Sequence, residues 1–359
     1  MHFIENTLLG NLSIINIDSN IKGGSQMKKF KKLFTALIST ATAISLMTGC
    51  AAGNNQQASS GSGGGKDGKI VVGFSQVGAE SEWRTANTKS VKESAEKDPQ
   101  IELKFSDAQQ KQENQIKAIR SFIAQKVDVI AFSPVVQTGF DTVLQEAKTA
   151  GIPVILTDRA VDADPSLYKT MIGSDFVEEG KKAAQWMLDN IKTDKPVNIV
   201  ELQGTVGSAP AIDRKAGFEE VIKAHTNYKI IKSQTGDFTR TKGKEVMEAF
   251  LKSEGKNINV VYSHNDDMAI GAIQAIEEYG LIPGKDIKII SMDGVKGAFE
   301  AMMAGKLNAS IECNPLLGDQ LMQAIKDVIA GKELPKWIKT EEGIFDTTNA
   351  AKEFPNRQY

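Results

Sequence analysis

From Lys69 onward, short apolar runs alternate with longer amphipathic stretches, and this alternation constrains the fold more than any other feature of the sequence. Most runs are apolar at successive positions and rich in β-branched residues, as in IVVGFS, VDVIAFS, PVILTD, VNIVELQ, NVVYSH and DIKIISMD. Such continuous runs are typical of parallel strands in a sheet covered on both faces. IELKFS and YKIIKSQ are predicted to be further strands of the same kind. Two successive sets of these units predict an α/β protein with two doubly wound domains.

The stretches between the runs have helical periodicity. In QENQIKAIRSFIAQK, the apolar residues Ile116, Ile119, Phe122 and Ile123 fall on one helical face. The chain of 359 residues is 41% hydrophobic, which is enough for two buried cores. Its formal net charge is -2 and the folded region has no dense basic block, so nucleic acid is not expected as a partner.

The N-terminal region has the pattern of a secretion signal. Four lysines at positions 28–32 precede an apolar stretch at 33–47, which ends in small residues and Cys50. We therefore predict a signal peptide over residues 27–49. The ending LMTGC resembles a bacterial lipobox, although Met47 stands where that pattern usually has leucine. The resemblance implies that Cys50 is lipidated.

Residues 1–26 lack the basic start that a signal requires. Codons for residues 22–24 (KGG) can spell a purine-rich ribosome-binding sequence shortly before the Met27 codon, so we expect translation to begin at Met27 and residues 1–26 to be an upstream extension. Residues 50–68 are rich in Gly, Ser, Asn and Gln and predict a flexible tether. The mature protein is then expected outside the cytoplasmic membrane, held there by lipid. Cys313 is left without a disulfide partner.

Polar and aromatic residues follow the predicted strands, at the end where open α/β sheets bind ligands. GAESEWR follows the first strand, Asp158 and Arg159 follow VILT, and Phe238 follows the YKIIKSQ strand. Helix N-caps explain many strand-end Asp and Asn residues, such as Asp175, but they do not explain guanidinium groups or rings.

Carboxylates, amides and guanidiniums beside aromatic rings suit the hydroxyls and C–H faces of a sugar. Charges of both signs compensate each other and favour a neutral ligand. An anion would need unpaired basic groups or a phosphate loop. The segment GTVG at 204–207 has neither the GxGxxG pattern nor a Walker lysine.

Catalysis has little support in the sequence. The chain has three histidines, of which His264 stands alone at a strand end, and it contains no HExxH, CxxC or GxSxG. Asp266 and Asp267 are adjacent in the first turn of a predicted helix, so their side chains point apart and dipole stabilisation is the expected role for one of them. Cys313 is expected to be a small packed residue. We predict a binding protein with no enzymatic activity, cofactor or metal.

Five motifs, in order across both halves, resemble the periplasmic sugar-binding proteins of ABC importers, of the ribose-binding type. They are VGFSQVGAESEWR, DAQQKQENQIKAIRSFIAQ, VELQGTVGSAPAIDRKAGF, TGDFTRTKGKEVME and VYSHNDDMAIGAIQAI. The resemblance runs from Lys69 to about the C-terminus and is strongest to the galactofuranose-binding members. It implies a monomer that carries a monosaccharide to a membrane permease.

The resemblance also implies two Rossmann-like lobes joined by a hinge that the chain crosses three times. The N-terminal lobe is expected to comprise residues 69–173 and 313–342. The C-terminal lobe is expected to comprise residues 174–312 and 343–359. The sugar is expected in the cleft between the lobes.

Carried over residue by residue, the family's sugar contacts fall mostly on the strand-end positions named above. Arg214 is added by the resemblance alone. Trp83 and Arg84 replace the paired phenylalanines of ribose binders, and Cys313 stands where ribose binders use glutamine. Both departures favour a furanose or another hexose over ribose. The expected contacts are Glu80, Ser81, Trp83, Arg84, Asp158, Arg159, Arg214, Phe238, Asn265 and Asp293.

Two other roles use the same module. A sugar-sensing receptor subunit for chemotaxis or for a sensor kinase is compatible with every residue discussed. A LacI-type effector-binding regulator requires an N-terminal helix-turn-helix, and this chain has a signal and a tether there instead.

Overall fold

The computed structural model describes residues 68–359. The predicted upstream extension, the signal peptide, Cys50 and the tether up to residue 67 lie outside the described residues. None of the helices within 68–359 is long and apolar enough to cross a membrane. The strands are β1 (Ile70–Gln76), β2 (Ile101–Asp107), β3 (Val129–Phe132), β4 (Val154–Thr157), β5 (Thr170–Gly173), β6 (Val197–Gln203), β7 (Tyr228–Thr235), β8 (Val260–Ser263), β9 (Lys288–Asp293), β10 (Ala309–Glu312), β11 (Trp337–Lys339) and β12 (Ile344–Asp346).

The helices follow the amphipathic stretches. Asp175 caps the fourth helix through a side-chain hydrogen bond from Glu178 N, as predicted. The α-helices are α1 (Glu82–Lys97), α2 (Gln112–Ala124), α3 (Asp141–Thr149), α4 (Phe176–Asn190), α5 (Ala209–Ile222), α6 (Arg240–Glu254), α7 (Asp266–Glu278), α8 (Lys296–Met303), α9 (Gly318–Ile329) and α10 (Ala350–Glu353). Single 3-10 turns occupy Pro165–Leu167, Gly255–Asn257 and Phe354–Asn356.

The strands form two six-stranded sheets with the same winding order. The first is ordered β2-β1-β3-β4-β5-β11, and the second is ordered β7-β6-β8-β9-β10-β12. All neighbours are parallel except β12, which runs antiparallel to β10. The strand order reverses beside β1 in one sheet and beside β6 in the other, and such switch points are where open α/β sheets bind ligands. The prediction of two doubly wound units is confirmed.

Both sheets are covered on both faces, as their continuous apolar strands predicted. In β3, Ile130 and Phe132 pack with α2 and α3, whereas Val129 and Ala131 pack with α1 and α9. The second sheet is sandwiched in the same way between α4 with α5 on one face and α6 with α7 on the other. We call β1–β5, β11, α1–α3 and α9 the first lobe, and β6–β10, β12, α4–α8 and α10 the second lobe.

The strands IELKFS and YKIIKSQ differ from this pattern. As β2 and β7 they are the outer strands of their sheets, and most of their residues are partly or fully exposed. Their lysines are tolerated because an edge strand is covered on fewer sides. Charged edge strands also discourage pairing with strands of another molecule.

The chain passes from one sheet to the other three times. The first passage follows β5, the second follows β10, and the third lies between β11 and β12. Each passage is only a few residues long, which keeps the two sheets close along one side of the molecule.

Helices α4 and α5 approach so closely that each needs a glycine at the contact. A Cβ atom at Gly180 would lie 2.2 Å from Arg214 O, and one at Gly217 would lie 2.0 Å from Val177 O. Backbone thus meets backbone on both sides of the contact. The close approach fixes the axial position of α5, which carries Arg214.

Gly217→Ala should lower the free energy of unfolding by about 1–3 kcal/mol, because the new methyl group overpacks the helix contact. Helix propensity alone predicts the opposite sign, a gain of about 1 kcal/mol. Urea denaturation followed by circular dichroism measures the difference. Ala216→Gly, at the neighbouring exposed position, is the control for propensity. A stabilised Gly217→Ala protein would contradict the packing argument.

Candidate functional site

The two switch points face each other across one cavity. All ten residues expected to contact a sugar line it. Phe176, Pro210 and Cys313 complete the lining. The lobes also meet at the rim, where Gln137 N–H donates to Gly207 O at 2.9 Å. Strand-end reasoning, together with the family resemblance for Arg214, therefore selected residues that the fold brings together, and their role as ligand contacts remains a prediction.

Arg84 is the centre of the first-lobe wall. Ser81 caps α1 by accepting a hydrogen bond from Arg84 N at 3.1 Å, and the guanidinium of Arg84 points back into the lobe. Its Nε lies 3.0 Å from Glu80 Oε1 and its Nη2 lies 2.7 Å from Asp158 Oδ2. The side chain is 2% exposed. These two carboxylates hold the pKa of Arg84 above its usual value despite burial.

Arg159 lies beside this pair without a close partner of its own. Its guanidinium is 3.6 Å from Asp158 and 3.9 Å from Glu80, and Nη1 donates to Val135 O at 3.2 Å. Burial and the neighbouring charge of Arg84 lower the pKa of Arg159 to about 10, so the group remains charged at neutral pH. Its Nε has no hydrogen-bond partner among residues 68–359. A buried donor of this kind is available to a ligand.

The second-lobe wall is built around Arg214, in the second turn of α5. Its Nε lies 2.6 Å from Glu179 Oε2, its Nη2 lies 3.6 Å from Asp293 Oδ1, and its Nη1 donates to His264 O. The attraction of Glu179 raises the pKa of Arg214 in spite of burial. Burial raises the pKa of Asp293.

Three cavity residues have backbone angles that L-amino acids rarely adopt. The φ angles are 62° at Asp158, 62° at Phe238 and 112° at Asp293. Asp158 directly follows β4, Phe238 lies in the turn after β7, and Asp293 is the last residue of β9, so each stands where the chain bends away from its strand. Gly173 makes room for the first bend, since a Cβ there would lie 2.9 Å from Asp158 O. Such strain is found where function requires a fixed geometry.

Every guanidinium in the cavity also lies over an aromatic ring. The face of the ring carries partial negative charge and attracts the guanidinium. The distances from the guanidinium carbon to the ring centroid are 4.7 Å for Arg84 over Trp83, 5.2 Å for Arg159 over Phe238 and 5.0 Å for Arg214 over Phe176.

Trp83 and Phe238 are held by backbone groups. Trp83 Nε1 donates to Cys313 O at 2.6 Å, and Asn265 Nδ2 donates to Phe238 O at 3.0 Å. The ring of Phe238 rests on Gly204, where a Cβ would lie 1.9 Å from it. GTVG therefore contributes a flat surface for a ring. Trp83 is both packed in the second lobe's apolar cluster and part of the cavity wall.

The cavity balances its own charge. Three guanidiniums (Arg84, Arg159 and Arg214) face three carboxylates (Glu80, Asp158 and Asp293). Oε2 of Glu80 is an acceptor without a partner among the described residues. The wall thus offers free donors and acceptors between apolar ring faces, and its formal charges cancel.

A second cluster lies behind the cavity, where the chain passes between the sheets. Single ligand atoms of Glu179, Cys313 and Glu342 lie within 4.8 Å of one another, a spacing compatible with a metal ion. However, Glu342 Oε1 already accepts hydrogen bonds from Ser174 Oγ, Thr340 Oγ1 and Asn314 N. Glu179 is bound to Arg214. The cluster is therefore better explained as a hydrogen-bonded junction of the three passages than as a metal site.

Burial governs the protonation of this junction. It raises the pKa of Glu179 to about 8, although the charge of Arg214 opposes the shift. It also raises the pKa of Glu342, against hydrogen bonds from Ser174, Thr340 and Asn314. Glu342 receives donors from all three passages, because Ser174 follows β5, Asn314 follows β10 and Thr340 follows β11. This carboxyl group therefore ties the passages together.

His264 is not alone, contrary to the sequence prediction. Its Nε2 lies 3.0 Å from Glu201 Oε1, and both side chains are fully buried. Burial lowers the pKa of His264. Sequence reasoning missed this pair because 63 residues separate its members, which meet only because β6 and β8 are adjacent. Phe176 and Pro210 were missed because neither follows a strand directly.

Replacing Arg84 by methionine should lower the free energy of unfolding by about 3–5 kcal/mol, because Glu80 and Asp158 would then remain buried without their main partner. The matched control is Arg120→Met, which removes an exposed ion pair with Glu146. That change should cost much less, because an exposed ion pair contributes little to stability. Chemical denaturation measures the free energy of unfolding of both variants. Similar losses in the two would contradict a stabilising role for the Arg84 contacts.

Three comparisons place this geometry among known proteins. The family model for the periplasmic binding protein domain matches residues 72–333. The galactofuranose-binding protein YtfQ of Escherichia coli strain K12 is 53% identical over 287 residues, which is 79% of this chain and 90% of that protein. A crystal structure from Mycobacterium smegmatis in complex with β-D-fucofuranose has 57% identity and a TM-score of 0.79, covering 81% of this chain and 95% of that one.

The periplasmic binding protein of the arabinose ABC transporter from Shewanella sp. ANA-3, bound to α- and β-L-arabinofuranose, is 53% identical with a TM-score of 0.77. It matches 80% of this chain and 95% of its own. The motif resemblance, including that to galactofuranose-binding members, and the predicted two-lobed fold are therefore confirmed. The chain belongs to the periplasmic binding protein family, whose members matched here are binding proteins of sugar transport and not enzymes.

Proposed function

We propose that this protein is an extracytoplasmic receptor that binds a monosaccharide between its lobes and delivers it to an ABC permease. The observation that carries the proposal is the charge-balanced cavity whose guanidiniums each lie over an aromatic ring. Hydroxyl groups can use the free donor of Arg159 and the free acceptor of Glu80. The rings offer apolar faces to C–H groups.

A furanose, with galactofuranose favoured, is the proposed ligand class. Three relatives at 53–57% identity carry furanose sugars in their names or as bound ligands. Trp83, in the first turn of α1, and Cys313, which stands where ribose binders have glutamine, both line the cavity. The ten contacts expected from the sequence are proposed as the binding residues.

Delivery requires that sugar binding change the arrangement of the lobes. The proposed lobes are residues 69–173 with 313–342, and residues 174–312 with 343–359. A sugar that contacts both walls binds the closed arrangement more tightly and so favours it. Lipidation at Cys50 would keep the monomer beside the permease. A sensory role remains the second candidate and uses the same closed form.

A thermal-shift screen of the protein against D-galactose, D-fucose, L-arabinose and D-ribose tests the ligand class. A sugar present at a hundred times its dissociation constant should stabilise the fold by about 2.7 kcal/mol. D-Ribose is expected to give the smallest shift. If none of these sugars raises the melting temperature, the proposed ligand class is wrong.

Arg159→Met should weaken binding of the best sugar by about 2–5 kcal/mol, since a buried hydrogen-bonding partner of the ligand loses its donors. Isothermal titration calorimetry measures the loss. Arg120→Met, on the exposed surface of the same lobe, should bind like the wild-type protein. Unchanged affinity in Arg159→Met would remove this residue from the site.

A further inference from the structure

The adjacent carboxylates of Asp266 and Asp267 have different partners. Asp266 stays within the second lobe and accepts hydrogen bonds from Gly294 N at 2.8 Å and Val295 N at 3.0 Å. Asp267 faces the first lobe, where its Oδ2 accepts a hydrogen bond of 2.7 Å from the backbone N–H of Glu82. This contact joins the lobes, although neither Asp267 nor Glu82 is among the described residues that line the cavity.

The N–H of Glu82 requires an acceptor from outside its helix. Glu82 is the first residue of α1, and the first N–H groups of a helix have no partner within it. The hydroxyl of Ser81 is already used by Arg84 N. A carboxylate is the preferred acceptor here, because the N-terminal end of a helix carries partial positive charge. Asp267 therefore caps a helix of the opposite lobe.

Asp267 is held in position from its own side. Arg240 donates to Asp267 Oδ1 from Nε at 3.2 Å and from Nη2 at 2.9 Å. Helix α6 begins at Arg240 and lies close to α7. The glycine at position 271 permits this approach, since a Cβ there would be only 2.1 Å from Arg240 O. Asp267 is 6% exposed. These contacts within its own lobe hold Oδ2 of Asp267 toward α1.

The contact borders the cavity on both sides. Glu82 lies between Ser81 and Trp83, and Asp267 follows Asn265 by two residues. Any motion that brings these two walls together also brings the N–H of Glu82 to Asp267. When the walls separate, both groups face water.

We propose that Asp267 and the N–H of Glu82 form an interlobe cap that stabilises the closed arrangement and slows release of the ligand without touching it. The proposal rests on the proposed sugar-binding function. Asp267 acts as a positioning residue in this proposal. Its contribution to sugar affinity adds to that of the residues that line the cavity.

A matched pair of substitutions isolates the hydrogen bond. Glu82→Pro removes the N–H donor, and proline is well tolerated at the first position of a helix. The preceding Ser81 already has the extended backbone that proline requires, with φ -144° and ψ 164°. Glu82→Ala removes the same side chain, including its 3.9 Å approach to Arg240, but retains the N–H.

With D-galactose or L-arabinose as the probe, Glu82→Pro should bind at least about tenfold more weakly than Glu82→Ala, as expected for losing a hydrogen bond to a charged group. Stopped-flow tryptophan fluorescence should place most of the change in the dissociation rate. The sugar-free melting temperatures of the two variants should agree. Asp267→Ala should show the same loss, and combining it with Glu82→Pro should add little further.

Equal affinities of the proline and alanine variants, or full additivity with Asp267→Ala, would overturn the interlobe cap. If the wild-type protein binds neither sugar, the proposed ligand class fails separately. Small-angle scattering of the ligand-free variants then tests the cap. A larger radius of gyration for Glu82→Pro than for Glu82→Ala supports it, and equal radii contradict it.

Discussion

The cleft depends on mutual compensation of buried charge. Arg84, Arg159 and Arg214 are each at most 3% exposed, and a guanidinium without a partner at such depth would destabilise the fold. Glu80, Asp158 and Asp293 lie at or beside strand ends and supply the opposite formal charge, and Glu179 on α4 accepts a hydrogen bond from Arg214. Because these partners come from different segments, both sheets must be complete before the charges are neutralised. The walls of the site are therefore fixed by the same contacts that stabilise the lobes.

Much of the fold and of the cavity wall could be predicted from the sequence. Helices cover both faces of a parallel sheet, so ligand-binding residues are expected at the carboxyl ends of its strands. The apolar runs located the strands, and the polar residues after them located the cavity wall. Arg214 was different: it lies in the second turn of its helix, well beyond the strand end, and only the family resemblance indicated it. Phe176 and Pro210 gave no signal, since an aromatic or proline near a helix start is ordinary. The pair of His264 and Glu201 depends on strand adjacency, which one sequence does not reveal.

Rigid lobes and a narrow junction act together in this architecture. Glycines let α4 contact α5, and α6 contact α7, backbone against backbone, which leaves little freedom within the second lobe. The three passages between the sheets are short and converge on Glu342. Relative motion of the lobes is thus confined to a few residues. The contact between Asp267 and the N–H of Glu82 adds a link between the lobes outside these passages.

The balance of charge inside the cavity has a consequence for the conditions in which such a receptor works. Dissolved ions screen exposed charges over about 8 Å at physiological ionic strength and act much less on pairs enclosed by protein. Three guanidiniums and three carboxylates here neutralise one another within the cavity itself. A neutral guest neither adds charge to the cavity nor removes it. The affinity for a neutral sugar should therefore depend little on ionic strength. This suits a protein that works outside the cytoplasm, where the cell does not control the salt concentration.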